Sequence, residues 1–200
     1  MNQVVCKGVV QVFGTRVFGV NPLDPEGAAE GEYEQRRQIR DTMRFLKREI
    51  PAFSGCQLIN TGVTMGVIGT RRIRGDYFIT YEDIFTGRKF EDAIAVGTYR
   101  LEYWEPDGSS YRFRHLTDTF YTIPYRALLP LGLNNILVAG SCISGQLLAM
   151  GTWAIQPMCF KTGQAAGTAA AVCFQQEADP RKIAVPVLQD MLRKDGIYLG

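Results

Sequence analysis

The spacing of hydrophobic residues changes along the chain, and its first quarter predicts two strands followed by a helix. Residues 4–13 and 16–20 are rich in β-branched side chains and are separated by Gly14-Thr15, which is typical of strands joined by a turn. In residues 32–50 the apolar positions recur at spacings of four, three and four, which predicts an apolar stripe on a helix that Pro51 ends. The stripe consists of Ile39, Met43, Leu46 and Ile50.

The middle of the chain predicts short strands and tight loops. Residues 57–80 contain short apolar runs separated by glycines, and Thr80-Tyr-Glu-Asp83 resembles a capping box that begins a short helix. The β-rich runs within residues 99–116 predict a hairpin whose turn lies at 105–108. A further pair of strands is expected on the two sides of Pro124.

After residue 134 the sequence becomes small and apolar. The continuous apolar run 136–139 predicts a strand buried on both faces of a parallel sheet, and Gly140 ends it at a point where a ligand can approach the backbone. In the following helix, 157–172, Gly163 and Gly167 share one face, which permits close approach to a sheet or a cofactor. Together the strand and the helix predict one half of a dinucleotide-binding site. In the alternative interpretation, the glycines only permit close helix packing.

The shift in composition also predicts the organisation of the chain. We expect an α+β region at 1–130 and a second region at 131–200, in an α/β protein overall. Asp179-Pro180 resembles a helix cap and first helical residue, and residues 185–194 predict the closing helix. No Gly-x-Gly-x-x-Gly phosphate loop occurs in the sequence, although that loop normally opens a dinucleotide-binding fold.

Composition limits the possible partners and the compartment. The chain has 200 residues, 46% of them hydrophobic, which suffices for a core, and its net charge of +2 does not suggest nucleic acid or a membrane as a partner. The cysteines are odd in number and form no Cys-x-x-Cys pair, so we expect no disulfide framework, metal site or iron-sulfur cluster. Without a signal peptide or a long apolar run, the chain is expected to be soluble and cytoplasmic. The cysteines are Cys6, Cys56, Cys142, Cys159 and Cys173.

Few side chains offer chemistry of their own. The first turn of the small-residue helix, at 155–157, exposes N–H groups suited to a carbonyl or anionic oxygen such as the O2 edge of a flavin. Cys142 is open to a redox role or to an interpretation as a packed core thiol, and the latter is favoured. His115 is the only histidine, which argues against a histidine-based triad.

Four residues are candidates for the substrate side. Arg71 and Arg72 suit a carboxylate through paired N–H groups, but they suit structural ion pairs equally well. Tyr125 and Arg126 follow Pro124, and packing is the favoured role for each of them taken alone.

Six ordered groups of motifs resemble the C-terminal half of the FAD-dependent oxidoreductases, a family related in architecture to fumarate-reductase and heterodisulfide-reductase flavoproteins. The resemblance is collinear from about residue 10 to residue 200. It is carried by residues 16–21 with 24–25, 70–73 with 75–77, 87–90 with 92–95, 123–126, 135–140 and 163–171.

The resemblance implies that residues after about 130 complete a Rossmann-like FAD domain begun by an N-terminal segment, and that the preceding region faces a small-molecule substrate. That segment carries the phosphate loop in relatives and is absent here, so the isolated chain is expected to be inactive, with Met1 either a true start or a truncation. Some relatives also carry iron-sulfur clusters, but this chain contains no cysteine motif that would bind one. The residues expected to contact FAD are Gly140, Ser141, Cys142, Ile143, Ser144, Thr152, Trp153, Ala154, Ile155, Gln156 and Gly163.

Three departures from the family pattern affect this site. Ser141 and Ala154 stand where arginines are usual, and 146–148 reads Gln-Leu-Leu where Thr-His-Glu is usual. Charge and a proton-transferring imidazole are therefore lost, and Trp153 is expected to present an apolar or stacking wall instead.

Two other hypotheses remain beside that of an FAD-dependent oxidoreductase. The first is a truncated or degenerate, non-catalytic chain that needs a partner chain or an upstream segment in order to fold. The second, an independent NAD-binding dehydrogenase, ranks last because the phosphate loop is missing. The sequence identifies neither the substrate, the electron acceptor nor the oligomeric state.

Overall fold

The computed structural model describes residues 2–3, 6–67, 69–105 and 108–200. They divide into two compact units, Met1–Val67 and Ile68–Gly200. Among these residues no helix has both the length and the apolar character needed to cross a membrane.

The first unit is dominated by one long helix. Strand β1 (Asn2–Gln3) pairs antiparallel with β2 (Val10–Gln11), and α1 covers Pro25–Glu49. A short 3-10 helix follows at Pro51–Phe53, so the predicted end of the helix at Pro51 is confirmed. The predicted start at residue 32 is seven residues too late, because Asp24 accepts a hydrogen bond from the Gly27 N–H at 3.1 Å and Pro25 provides the first helical residue.

The strand predicted at 16–20 is wrong. Gln38 on α1 accepts from the Arg16 N–H and donates to the Arg16 carbonyl, both at 2.8 Å. A side-chain amide therefore satisfies backbone groups that a strand partner would otherwise bind. Of the strand predicted at 4–13, residues 4 and 5 lie outside the described residues, and the rest is a strand only at β2.

The second unit contains two antiparallel strand pairs covered by helices. Strand β3 (Ala93–Gly97) pairs with β6 (Tyr121–Pro124), and β4 (Leu101–Trp104) pairs with β5 (Tyr111–Arg114). The predicted hairpin is thus confirmed. Its turn closes through the Gly108 N–H, which donates to the Glu105 carbonyl at 2.8 Å, while turn residues 106 and 107 lie outside the described residues.

The helices of this unit are α2 (Tyr81–Phe85), α3 (Leu147–Trp153), α4 (Gln156–Gln176) and α5 (Val185–Lys194). Helix α3 packs on β4, and α4 packs on β3 and α5. The protein is therefore a mixed α/β fold with small antiparallel sheets. The core joins residues from both sides of position 130, among them Ile79, Ile94, Tyr121, Trp153, Ala165 and Leu188.

Several strands and one helix start that were predicted for this unit are not present in the structure. Residues 69–80 make only isolated bridges, from Gly75 to Pro130 and from Ile79 to Gly145, and residue 68 lies outside the described residues. A 3-10 helix, Tyr125–Leu128, replaces the strand expected after Pro124.

The buried parallel strand expected at 136–139 is also wrong for this structure. The Val138 N–H donates to the Leu128 carbonyl at 2.9 Å, but no strand of the described residues pairs with the segment, and Ile136 is 44% exposed. Asp179 forms a turn through its bond with the Arg181 N–H at 2.9 Å rather than a helix cap, whereas the bounds predicted for α5 are confirmed.

The capping box at the start of α2 is confirmed and is the centre of a polar network. The Asp83 carboxylate accepts from the Thr80 N–H at 2.9 Å, from the Tyr77 hydroxyl at 2.8 Å and from Arg88 at 2.9 Å. Burial alone raises the pKa of Asp83, but these hydrogen bonds outweigh it and hold the pKa below its ordinary value of 3.8.

The network predicts acid-dependent stability. Because the folded-state pKa of Asp83 is depressed, its stabilisation is complete above the unfolded pKa of 3.8 and is lost as the pH falls through the folded value. Asp83→Asn should lower the free energy of unfolding by about 1–3 kcal/mol at pH 7 and by less below about pH 4, measured by urea denaturation across pH. Asp190→Asn, in an exposed ion pair on α5, should cost less than about 0.5 kcal/mol. Equal losses for the two variants would contradict this role of Asp83.

Candidate functional site

The turn before α3 and α4 is held directly on α4. A 3-10 helix spans Gly140–Cys142, where Gly140 has φ +77°, a conformation that favours glycine. The Gly140 N–H donates to the buried Thr162 hydroxyl of α4 at 3.0 Å, and the Cys142 carbonyl accepts from the Ile73 N–H at 3.0 Å. The turn is therefore fixed to the helix on one side and to the chain near Arg72 on the other.

The next two residues run into the core. Ile143 and Ser144 are fully buried, and the Ser144 backbone bonds Ala127 and Ile79 at 3.0 and 3.2 Å. The Ser144 hydroxyl is buried and has no hydrogen-bond partner among the described residues. A buried polar atom without a partner is uncommon in folded proteins.

The break between α3 and α4 leaves few backbone donors open. The Ala154 N–H donates to the Met150 carbonyl at 2.9 Å and is therefore engaged within the protein. Ile155 is extended and gives α4 no side-chain cap. The first turn of α4, at Ile155 and Gln156, has no side-chain cap, and a flavin contact there stays a prediction.

Trp153 does not form an outward wall. Its indole is fully buried and packs against Gly145, where even a Cβ would lie within 2.5 Å of the ring. The expected stacking surface is therefore wrong, and the tryptophan is a core residue. Its indole nitrogen, like the Ser144 hydroxyl, has no partner among the described residues. The neighbouring Thr152 is also buried, and its hydroxyl donates to the Ala149 carbonyl at 2.7 Å.

The small-residue face of α4 is open. Gly163 and Gly167 are exposed, and a Cβ built on either one meets nothing within 4 Å. On the same face Phe160 is 75% exposed and Phe174 is 86% exposed. Packing within the described residues therefore does not explain why this face is made of glycines.

The thiols near the turn differ in environment. Cys142 is exposed, so the interpretation as a packed core thiol is wrong. Cys159 in the first turns of α4 is partly buried, and burial raises the pKa of its thiol. Cys173 is buried in the core, where burial also raises the thiol pKa.

The four candidate substrate residues differ in environment. Arg71 is exposed, whereas the Arg72 guanidinium donates to the Gly145 carbonyl at 3.0 Å and so braces the segment before α3. Arg126 forms a two-point pair with Asp92 at 2.9 and 3.1 Å.

Tyr125 is a buried structural residue. It is 2% exposed, and its hydroxyl donates to the Pro180 carbonyl at 2.9 Å. Burial raises the pKa of Tyr125, so its phenol stays protonated in the neutral range.

Two residues important for this geometry were missed from sequence. Thr162 holds Gly140, and the Gln146 side chain accepts from the Tyr81 N–H at 2.7 Å, which ties α2 to α3. Both contacts join residues distant in sequence, so no local pattern indicates them. Among the described residues no group of three or more His, Cys, Asp or Glu side chains could hold a metal ion.

Comparison with known families gives one assignment. The family model described as FAD dependent oxidoreductase matches residues 6–192. The chain belongs to this family. Comparisons with curated proteins and with solved structures gave no significant match.

The residues of this FAD-dependent oxidoreductase fit the flavin part of FAD. The two buried polar atoms without described partners, on Ser144 and Trp153, lie in the two segments from which flavin contacts are expected. A Cβ built at Gly163 meets nothing within 4 Å, and one built at Gly140 meets only the Cys159 sulfur, at 3.9 Å. The sequence contains no glycine-rich loop for the pyrophosphate, so the fit covers one part of the cofactor.

A hydroxyl deletion tests the structural role of Tyr125. Tyr125→Phe should reduce the free energy of unfolding by about 1–2 kcal/mol, because the buried Pro180 carbonyl loses its donor. Tyr198→Phe, at a largely exposed tyrosine, should have little effect in the same denaturation experiment. An unchanged stability of Tyr125→Phe would contradict this assignment.

Glycine substitutions test the openness of the α4 face. Gly163→Ala should stabilise the chain by about 0.5–1 kcal/mol, because alanine is the better helix former and the added methyl group has room. Gly151→Ala in α3 should instead destabilise it, since the new methyl group would collide with the Glu102 carbonyl. Thermal unfolding followed by circular dichroism measures both effects. Destabilisation by Gly163→Ala would show that the face is already packed.

Proposed function

We propose that this chain supplies the flavin-side, C-terminal part of a Rossmann-like FAD domain, with residues 131–200 contacting the cofactor and residues 1–130 contributing to the substrate side. The observation that carries the proposal is the open small-residue face of α4 beside a turn that the Gly140–Thr162 hydrogen bond holds on the same helix. A face of exposed glycines between two exposed phenylalanines is suited to a planar or backbone group at close range.

The proposed cofactor contacts divide by position. Gly140, Ser141 and Cys142 would lie along the chain of FAD that joins its two ring systems, since their turn is exposed or partly exposed. Ile155 and Gln156 would offer N–H groups to the polar edge of the flavin, where the positive end of the 21-residue α4 favours an electron-rich oxygen.

The flavin, when bound, supplies the hydride chemistry. The chain's own residues orient it: Thr162 fixes the turn, Arg72 braces the segment before α3, and Trp153 fills the core behind the break. On the substrate side Arg71 is the strongest candidate to bind an anionic group, because Arg72 and Arg126 are already engaged and Tyr125 is buried.

The pyrophosphate-binding loop and the neighbouring strands would come from a preceding segment or from a partner chain. Support comes from residues 136–139, an apolar run without a strand partner among the described residues, and from the exposed Phe160 and Phe174. Exposed aromatic groups of this kind are typical of surfaces that another element covers. The same exposure would suit a non-catalytic chain that folds against a partner, so cofactor binding is the property to test.

Co-expression with the segment encoded immediately upstream tests the proposal. The purified complex should be yellow, with FAD released on denaturation and identified by chromatography. Gly163→Leu should lower the FAD content at least about tenfold, because its side chain would project into the proposed cofactor space.

Gln176→Leu, at the exposed C-terminal end of α4, is the matched control and should retain FAD. A folded, colourless complex would overturn the proposed cofactor role. Equal FAD contents in the two variants would remove the α4 face from the site while leaving the family assignment intact.

A further inference from the structure

Positive charge is concentrated on one part of α1. Residues 36–48 contain six arginines and lysines against one aspartate, a net charge of +5. Because the whole chain carries only +2, its other residues together carry −3. Over its full length α1 is neutral, with six basic and six acidic residues, so the excess is confined to residues 36–48, and such a local excess favours an acidic partner.

This part of α1 lines a groove of about 510 Å³ within the first unit. Its apolar lining comes from Ile39 and Met43 of α1 and from Leu58 of the following loop, which is 54% exposed. Arg40, Arg44 and Lys47 lie along the same groove, and no acidic residue lines it. The groove thus combines an apolar strip with a row of cations.

Arg36 fixes the loop that forms the opposite wall. Its guanidinium donates to the Thr61 hydroxyl at 2.5 Å and to the Val63 carbonyl at 3.2 Å, while also pairing with Glu32 at 2.6 Å. These hydrogen bonds hold the loop against the helix in the unbound protein. Ligand binding therefore carries no entropic cost of ordering this wall of the groove.

The other cations are weakly engaged. Asp41 lies 4.0 Å from Arg40 and 3.6 Å from Arg44, and all three side chains are about half exposed or more. Exposed pairs of this length contribute little, so these arginines remain able to bind a stronger acidic partner. From Arg40 to Lys47 the helix rises about 10 Å, with one cation at nearly every turn.

We propose that this groove binds an acidic, amphipathic segment of a partner protein. Carboxylates spaced by one helical turn would match Arg40, Arg44 and Lys47, while apolar side chains on the same segment would cover Leu58 and Met43. The length of the cationic row exceeds what one compact anion spans. An exposed apolar strip within a concave groove is matched by a peptide face better than by a nucleic-acid backbone or a flat membrane surface.

A synthetic peptide tests the proposal on the full chain. The probe is a fluorescein-labelled, 14-residue helical peptide with glutamates at every fourth position and leucines on the adjacent stripe. Its binding, measured by fluorescence anisotropy in 0.15 M salt, should weaken at least about tenfold in Arg40→Glu/Arg44→Glu. Leu58→Ser should weaken it about threefold or more, since the apolar contact is reduced.

Lys7→Glu/Arg48→Glu is the matched control. It makes the same change in net charge in the same unit, but neither residue lines the groove, so binding should weaken less than about twofold. Circular dichroism shows whether each variant keeps its helix. The proposal is overturned if the control weakens binding equally, if a scrambled peptide of the same composition binds as well, or if no binding occurs. It is also overturned if a single-stranded oligonucleotide or phosphatidylglycerol vesicles bind the groove more tightly than the peptide.

Discussion

The packing of two buried aromatic side chains against backbone determines the arrangement of the second unit. Tyr121 of β6 lies on Gly97 of β3, at a place where any side chain would collide with its ring, and its hydroxyl donates to the Thr152 carbonyl at 3.0 Å. Trp153, one residue further, fills the space against Gly145. Large aromatic groups contribute much of the buried apolar area of a core, so this part of the second unit depends on both rings.

That packing also positions the α3–α4 break, from which flavin contacts are proposed. It brings the end of α3 against the sheet, and the break between α3 and α4 follows at a fixed point. The turn at Gly140 is then attached to α4 by Thr162. The result is a rigid base beneath an open helix face, which is how a protein contributes orientation to a cofactor that supplies the reactive group.

The first unit is stabilised by other interactions than the second. Helix α1 buries only Gly31 and Leu46 among its residues, so tertiary packing supports little of its length. Its stability depends on the Asp24 cap and on pairs such as Arg36–Glu32 and Arg37–Glu34 between successive turns. A helix stabilised in this way keeps most of its cations at the surface, where they are available to a partner.

Local patterns were sufficient for several elements whose stabilising contacts are local. The end of α1 at Pro51, the Thr80–Asp83 capping box, the hairpin of β4 and β5 and the extent of α5 all follow from neighbouring residues. The collinear motifs also indicated the flavoprotein family, because they record a shared fold over nearly the whole chain.

Tertiary structure decided those features that depend on contacts between residues far apart in the sequence. Residues 16–20 are no strand because Gln38 takes the backbone bonds of Arg16, and residues 136–139 are no strand because no described segment pairs with them. Burial of Trp153 and Tyr125 and the contact of Gly140 with Thr162 likewise join residues whose proximity exists only after folding. Sequence by itself determined the family and the local elements, whereas long-range hydrogen bonds and packing decided which apolar runs became strands and which polar groups remained open.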